Sequence, residues 1–110
     1  MEKEYFEIAP LDEKNQSDVF FQAVVPTALT VGTVRRIVIP DGTAALLRRE
    51  PSLNAEVLHR LTAWTYGGAM VEIVGLQGAW VLIRLERTIH GHLLTPARLG
   101  WVQSTQIGPL

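Results

Sequence analysis

The feature that most constrains the fold of this chain is a series of short apolar segments separated by glycine and proline. The aliphatic residues Val81, Ile83 and Leu85 alternate with larger or charged residues, so they would share one face of a strand. Residues 70–74 alternate similarly, and residues 75–78 predict a tight connection between the two strands. No segment is long enough to predict a stable amphipathic helix. The pattern predicts an all-β domain.

Further strands are predicted along most of the chain, because β-branched and aromatic residues are concentrated in short runs. The predicted ranges are 19–25, 31–39, 44–49 and 57–61. In the third of these, Ala45 and Leu47 would lie on one face, with Leu46 on the other. The Pro-Asp-Gly run at residues 40–42 is a turn signature. A loop or hairpin over residues 87–99 is expected before the last strand.

Composition indicates one globular domain that uses no thiol chemistry. The chain has 110 residues, of which 47% are hydrophobic and 19% are charged. Because cysteine is absent, disulfides, thiol nucleophiles and thiolate metal sites are excluded. No cofactor is expected.

The charge balance argues against nucleic acid as a partner. The formal net charge is −1, whereas a protein that neutralises phosphates needs an excess of cations. No apolar run approaches the roughly 20 residues that a membrane span requires, so no membrane association is expected. The acidic N-terminus lacks the apolar region of a secretory signal, which predicts a cytoplasmic protein. The alternative is a chain from which a signal or a partner domain has been removed.

Four short motifs occur in a characteristic order in the last two thirds of the chain. They are Arg48 with Pro51-Ser52, then Val57, Leu58 and Leu61, then Trp80 with Ile83, and finally Gly100-Trp101-Val102. With this order, residues 44–107 resemble the bacterial SH3-like (SH3b-type) domain family. The resemblance implies a small β-barrel that closes with a 3₁₀ turn at residues 104–107. Leu46 and Glu50 depart from the asparagine and glycine that the family usually has there.

The predicted organisation has three parts. Residues 1–17 form a polar N-terminal arm, residues 18–43 an N-terminal β extension, and residues 44–110 an SH3-like barrel with a long loop before its last strand. The apolar extension must bury its faces. It could extend the sheet of the barrel, or it could pair with a second copy or another protein.

Aromatic residues are the best candidates for a binding site. We expect Trp64, Tyr66, Trp80 and Leu82 to form a groove for an extended peptide or a protein partner, since flat rings suit such ligands. Trp64 and Tyr66 lie in a predicted irregular loop, where side chains are exposed. The alternative is that Trp101 fills the end of the barrel and that Trp80 packs under the long loop.

The sequence gives less support to metal binding and to catalysis. His90 and His92, with His59 elsewhere, could suggest zinc, but a structural site needs four ligands and solvated loop histidines are the expected state. No Gly-x-Ser-x-Gly motif is present, and no catalytic residues are predicted. The expected function is therefore a non-catalytic binding module. The alternatives are cell-wall (peptidoglycan) targeting, as the resemblance implies for secreted relatives, and a homo-oligomeric assembly subunit that self-associates through the N-terminal extension.

Overall fold

The computed structural model describes residues 28–110. The predicted polar arm at residues 1–17 and the predicted strand at residues 19–25 lie outside the described residues.

Within residues 28–110, seven antiparallel strands form one curled, barrel-like sheet, which confirms the all-β prediction. The elements in chain order are β1 (Val34–Ile37), β2 (Ala44–Arg48), β3 (Val57–Thr62), α1 (Ala63–Tyr66), β4 (Met70–Gln77), β5 (Trp80–Arg87), β6 (Leu93–Gln103), a 3₁₀ turn (Ser104–Gln106) and β7 (Ile107–Gly108). Their order across the sheet is β3-β2-β6-β5-β4-β1-β7. The predicted 3₁₀ turn follows β6 directly.

The concave side of the sheet holds the core, and the predicted alternation is confirmed there. Val81, Ile83 and Leu85 of β5 are almost completely buried, as are Ala45 and Leu47 of β2. The rest of the core comes from the other strands and from the segments beside them, namely Ile37, Ile39, Leu61, Ala69, Val71, Ile73 and Val102. All twelve core residues are aliphatic, so the core is held by apolar burial rather than by buried polar bonds.

The Pro-Asp-Gly turn between β1 and β2 is confirmed. Both the N–H and the hydroxyl of Thr43 donate to the carbonyl oxygen of Pro40, at 3.0 and 2.7 Å. Gly42 has a φ of +79°, a conformation that residues with a Cβ rarely adopt. The connection predicted at residues 75–78 lies slightly later, because β4 continues to Gln77.

Of the loop or hairpin expected at residues 87–99, the structure has the hairpin. β5 continues to Arg87, which pairs with Leu93 at the start of β6. The connection is therefore limited to residues 88–92, where the N–H of Thr88 donates to the carbonyl of His92 at 3.0 Å. The sequence of residues 93–99 has no clear strand pattern, and pairing with β5 makes this segment part of a strand.

β6 passes very close to β2 at Gly100. A Cβ at this position would lie 2.6 Å from the Cβ of Leu47 and 3.2 Å from its Cα. The next residue, Trp101, pairs with Arg48 of β2. Because glycine has no side chain, the two strands can approach closely enough for the sheet to curl around its core.

The described part of the predicted N-terminal extension belongs to the same sheet. β1 lies between β4 and β7, with Val34 opposite Glu72 and Ile37 opposite Ile107. Residues 34–37 thus extend the sheet within the chain, which is one of the expected alternatives. The division of the chain at residue 43 stays a prediction.

Candidate functional site

Trp80 and Leu82, two of the four predicted site residues, lie on the convex face at the start of β5. Leu82 stands opposite Trp101 of β6. The ring of Trp101 reaches across to β4, where Cη2 lies 3.6 Å from the position of a Cβ on Gly75. Trp101 is half-buried on this convex face. The expectation that Trp101 fills the end of the barrel is therefore wrong.

The other two predicted residues, Trp64 and Tyr66, lie on α1. The carbonyl of Thr65 between them accepts a hydrogen bond from the N–H of Ile89 at 3.1 Å. Trp64 is 80% exposed, and its ring centroid lies 5.9 Å from that of His90. Tyr66 is half-buried and packs against the core.

The two pairs are therefore located at opposite ends of β5. This strand has eight residues, so its ends lie about 23 Å apart at roughly 3.3 Å per residue. Trp80 starts the strand, and the connection that contacts α1 follows its last residue. The four residues do not share one groove, and each end of β5 must be assessed separately.

A groove lies on the convex face at the Trp80 end, with a volume of about 360 Å³. Its lining residues come from three strands, the 49–56 loop and the 3₁₀ turn, and they are Ala44, Leu46, Arg48, Leu53, Trp80, Gln103 and Gln106. Leu46 and Trp80, both half-buried, form the apolar part of this surface. The two glutamine side chains add amide donors and acceptors.

The 49–56 loop forms one wall of the groove, and hydrogen bonds hold it in place. Nη1 of Arg48 donates to the carbonyl of Ala55 at 2.9 Å. At the base of the loop, the N–H of Arg49 donates to the carbonyl of Glu56 at 2.9 Å, and the two side chains form an ion pair. These bonds join the two ends of the loop to each other and to β2.

The same loop carries an exposed apolar side chain at the edge of the groove. Leu53 is 65% exposed, and Ser52 Oγ accepts a hydrogen bond from the N–H of Asn54 at 3.2 Å. Leu53 lines the groove together with Leu46 and Trp80, so it adds apolar surface to the groove rather than to the core.

Sequence reasoning identified Trp80 and missed most of the groove. Leu53, Gln103 and Gln106 lie in regions that gave no binding signal. Leu46 and Arg48 did give one, since the alternation in residues 44–49 places them on the face opposite the core. An apolar residue on that face, at a position where the SH3b resemblance expects asparagine, was the available indication.

A second groove of about 380 Å³ lies between β1, β4 and β5, and its charged side chains are paired with one another. Arg84 binds Glu72 on the neighbouring strand and lies 3.7 Å from Glu86. These charges satisfy one another, so this groove offers fewer free polar groups to a ligand.

None of the three histidines lines either groove. No three His, Cys, Asp or Glu side chains of residues 28–110 could hold a metal together. The pKa of His59 is lowered by partial burial and, to a smaller extent, by the positive charge of Arg98. His90 and His92 are exposed.

Within the described residues, no helix has both the length and the apolar character needed to span a bilayer. Comparisons with protein-family models, curated proteins and solved structures found no match for this chain.

Proposed function

We propose that this protein is a non-catalytic binding module that holds an extended peptide segment of a protein partner. The observation that carries the proposal is the groove beside Trp80, which combines apolar side chains with two glutamine amides next to the hydrogen-bonded 49–56 loop. Concave, partly apolar surfaces with a few directed polar groups are typical of binding sites. The resemblance of residues 44–107 to SH3b-type domains supports the same conclusion, because small barrels of this kind bind ligands on their surface.

An extended peptide suits the chemistry of the groove. A ligand side chain can pack between Leu46 and Trp80, where both residues are half-buried and retain apolar surface. The amides of Gln103 and Gln106 can bind the N–H and carbonyl groups of a peptide backbone, which an extended chain leaves unpaired. A peptide therefore satisfies both the apolar and the polar parts of the site.

The ordered 49–56 loop increases the affinity that such a small site can reach. Binding loses free energy whenever loops must be ordered at the interface. Here the bond from Arg48 to Ala55 and the ion pair between Arg49 and Glu56 already order the loop. Leu53 is then presented to the ligand at little further entropic cost.

The surface on α1 remains a separate prediction. Trp64 is highly exposed, but Tyr66 is half-buried and packs against the core. This end of β5 has an exposed aromatic side chain and contributes none of the residues that line the groove beside Trp80. It is therefore the natural control for the groove.

The test is a selection of random peptides displayed on phage against the full chain. The selected peptides are then titrated against the wild type and the variants Leu53→Ser and Trp64→Ser. Both changes replace an exposed apolar side chain, so both variants should keep the fold. We expect about tenfold weaker binding for Leu53→Ser, as for a residue worth over 1 kcal/mol at an interface, and no change for Trp64→Ser.

The reverse pattern would move the binding site to α1. A selection that yields no binding peptide would contradict the peptide-binding function altogether.

Cell-wall targeting is the second candidate function, supported by the four motifs that resemble SH3b-type domains. It would place the protein outside the cell, whereas the favoured proposal keeps the predicted cytoplasmic location. Sedimentation with purified peptidoglycan distinguishes the two, since only a targeting module is retained in the pellet.

A further inference from the structure

We infer that the groove selects acidic peptides, in which an aliphatic side chain lies close to one or two carboxylates. The inference rests on the proposed function, because it specifies the ligand of the same groove. Its basis is the distribution of charge around Leu46.

Two arginines flank Leu46 on the convex face. Arg48 lies two residues further along β2, so both side chains leave the same side of the strand. Arg60 of β3 stands directly opposite Leu46, where Cβ atoms of an antiparallel pair are about 5 Å apart. Arg48 lines the groove and Arg60 lies beside it on the neighbouring strand, so a ligand side chain that packs on Leu46 lies close to both arginines.

The structure orients Arg48 for this role. Its guanidinium carries five N–H donors in one plane, and the bond from Nη1 to Ala55 fixes the position of that plane. Arg48 is also half-buried, so charge interactions there are screened less than at a fully exposed site. A planar, oriented guanidinium binds a carboxylate better than a mobile lysine does.

The acceptor that this arginine pair requires is missing from the groove itself. Among the described residues, none of those lining it is acidic. Of the two carboxylates in the neighbouring loop, Glu56 is paired with Arg49, and Glu50 is exposed and forms no ion pair with Arg48. In the second groove, by contrast, the charge of Arg84 is already neutralised by Glu72. The groove beside Trp80 therefore leaves its positive charge for a ligand to neutralise.

The local nature of this charge favours a peptide over a nucleic acid. The whole chain carries a net charge of −1, so a polyphosphate would meet repulsion elsewhere on the surface. A short acidic segment contacts the arginine pair alone. Its aliphatic residue uses the apolar surface of Leu46 and Trp80, which a phosphate backbone would leave bare.

The experiment compares two phage-displayed peptide libraries against the full chain. Both contain Leu, Val, Pro, Gly and Ser, and they differ only in carrying either Asp and Glu or Lys and Arg. We expect binding peptides from the acidic library alone. Arg60→Gln and Arg48→Gln should each weaken these peptides about tenfold, the loss expected for a charge-assisted hydrogen bond.

Two controls separate charge from folding. Arg60 is exposed, so Arg60→Gln tests the charge even if Arg48→Gln disturbs the loop through Ala55. Arg87→Gln removes an exposed arginine at the other end of β5 and should leave binding unchanged. Raising the ionic strength from about 0.01 M to about 1 M shortens the Debye length from about 30 Å to about 3 Å and should weaken binding by the wild type.

Both libraries could yield binding peptides whose affinity falls for Leu53→Ser but not for Arg60→Gln. That result would overturn acidic selection and still support the peptide-binding groove. No binding peptide from either library would overturn acidic selection, and if the random-peptide selection also yields none, the peptide-binding function is overturned as well. If single-stranded DNA displaces an acidic peptide from the wild type and does not bind to Arg60→Gln, the site would be assigned to nucleic acid instead.

Discussion

The two faces of β5 carry different kinds of residue, although they alternate along the same eight positions. On the concave face, Val81, Ile83 and Leu85 are almost completely buried. On the convex face, Trp80 and Leu82 are large and apolar but only half-buried. The apolar surface of the concave residues is buried in the core, whereas the convex residues keep part of their apolar surface in contact with solvent.

This difference separates the parts of the sheet that stabilise the fold from the parts that can bind. Burial stabilises by about 25 cal/mol per Å² of apolar surface, so a half-buried residue contributes less to folding and can contribute further when a ligand covers it. Substitutions on the concave face should therefore reduce stability, and matched substitutions on the convex face should reduce it much less.

Two glycines give the largest expected contrast. At Gly100, on the concave side, an added Cβ would lie 2.6 Å from Leu47 Cβ and 3.2 Å from its backbone. At Gly75, on the convex side, the nearest atom would be Leu82 Cβ at 3.3 Å. We expect Gly100→Ala to lower the free energy of unfolding by about 3 kcal/mol or more, and Gly75→Ala by about 1 kcal/mol. Urea denaturation measures both, and equal losses would contradict the close approach of β6 to β2.

Neighbouring residues of β5 give the next contrast. Ile83→Ala should cost about 2–5 kcal/mol, because it leaves a cavity in a fully buried position. Leu82→Ala removes a side chain of the same size from the half-buried face and should cost about 1–2 kcal/mol. The comparison fails if Leu82→Ala is as destabilising as Ile83→Ala, since Leu82 would then belong to the core.

Much of this division could be predicted from the sequence. Alternation in residues 80–86 correctly separated the faces of β5, and the same rule placed Ala45 and Leu47 in the core. These predictions succeed because burial on one face of a strand imposes a period of two residues. The hairpin at residues 87–99 was harder, because Gly91 and Pro96 are turn-forming residues and only pairing with β5 makes the segment a strand.

The groove could be predicted only in part. Its residues are distant in the sequence, and the curl of the sheet brings Leu46, Leu53 and Trp80 together. No local pattern encodes that curl. Grouping Trp64 with Trp80 by residue type failed for the same reason, because their separation depends on which end of β5 each of them occupies.

The smallest expected effect concerns a histidine on β3. His59 stands opposite the buried Leu47, and burial, with a smaller contribution from Arg98, lowers its pKa below the ordinary value of 6.5. The unfolded chain therefore binds this proton more readily than the folded chain does. Folding stability should fall as the pH decreases from above 6.5 toward the lower pKa of the folded state.

His59→Gln should remove that part of the pH dependence, whereas His92→Gln, at an exposed position, should not. Urea denaturation at several pH values measures the stability, and NMR titration of the His59 ring measures the pKa. A folded-state pKa at or above 6.5 would show that His59 is as solvated as the loop histidines.

The pairing of β1 with β7 has a consequence for how the chain reaches this fold. Ile37 pairs with Ile107, and the N–H of Val38 donates to the carbonyl of Gln106 at 2.7 Å. The hairpins β4-β5 and β5-β6 close short loops, but among the described residues β1 gains its second neighbour from β7, which follows all the other strands in the sequence. During synthesis, β1 therefore keeps an open edge until β7 leaves the ribosome. In that interval the edge can pair with another nascent chain.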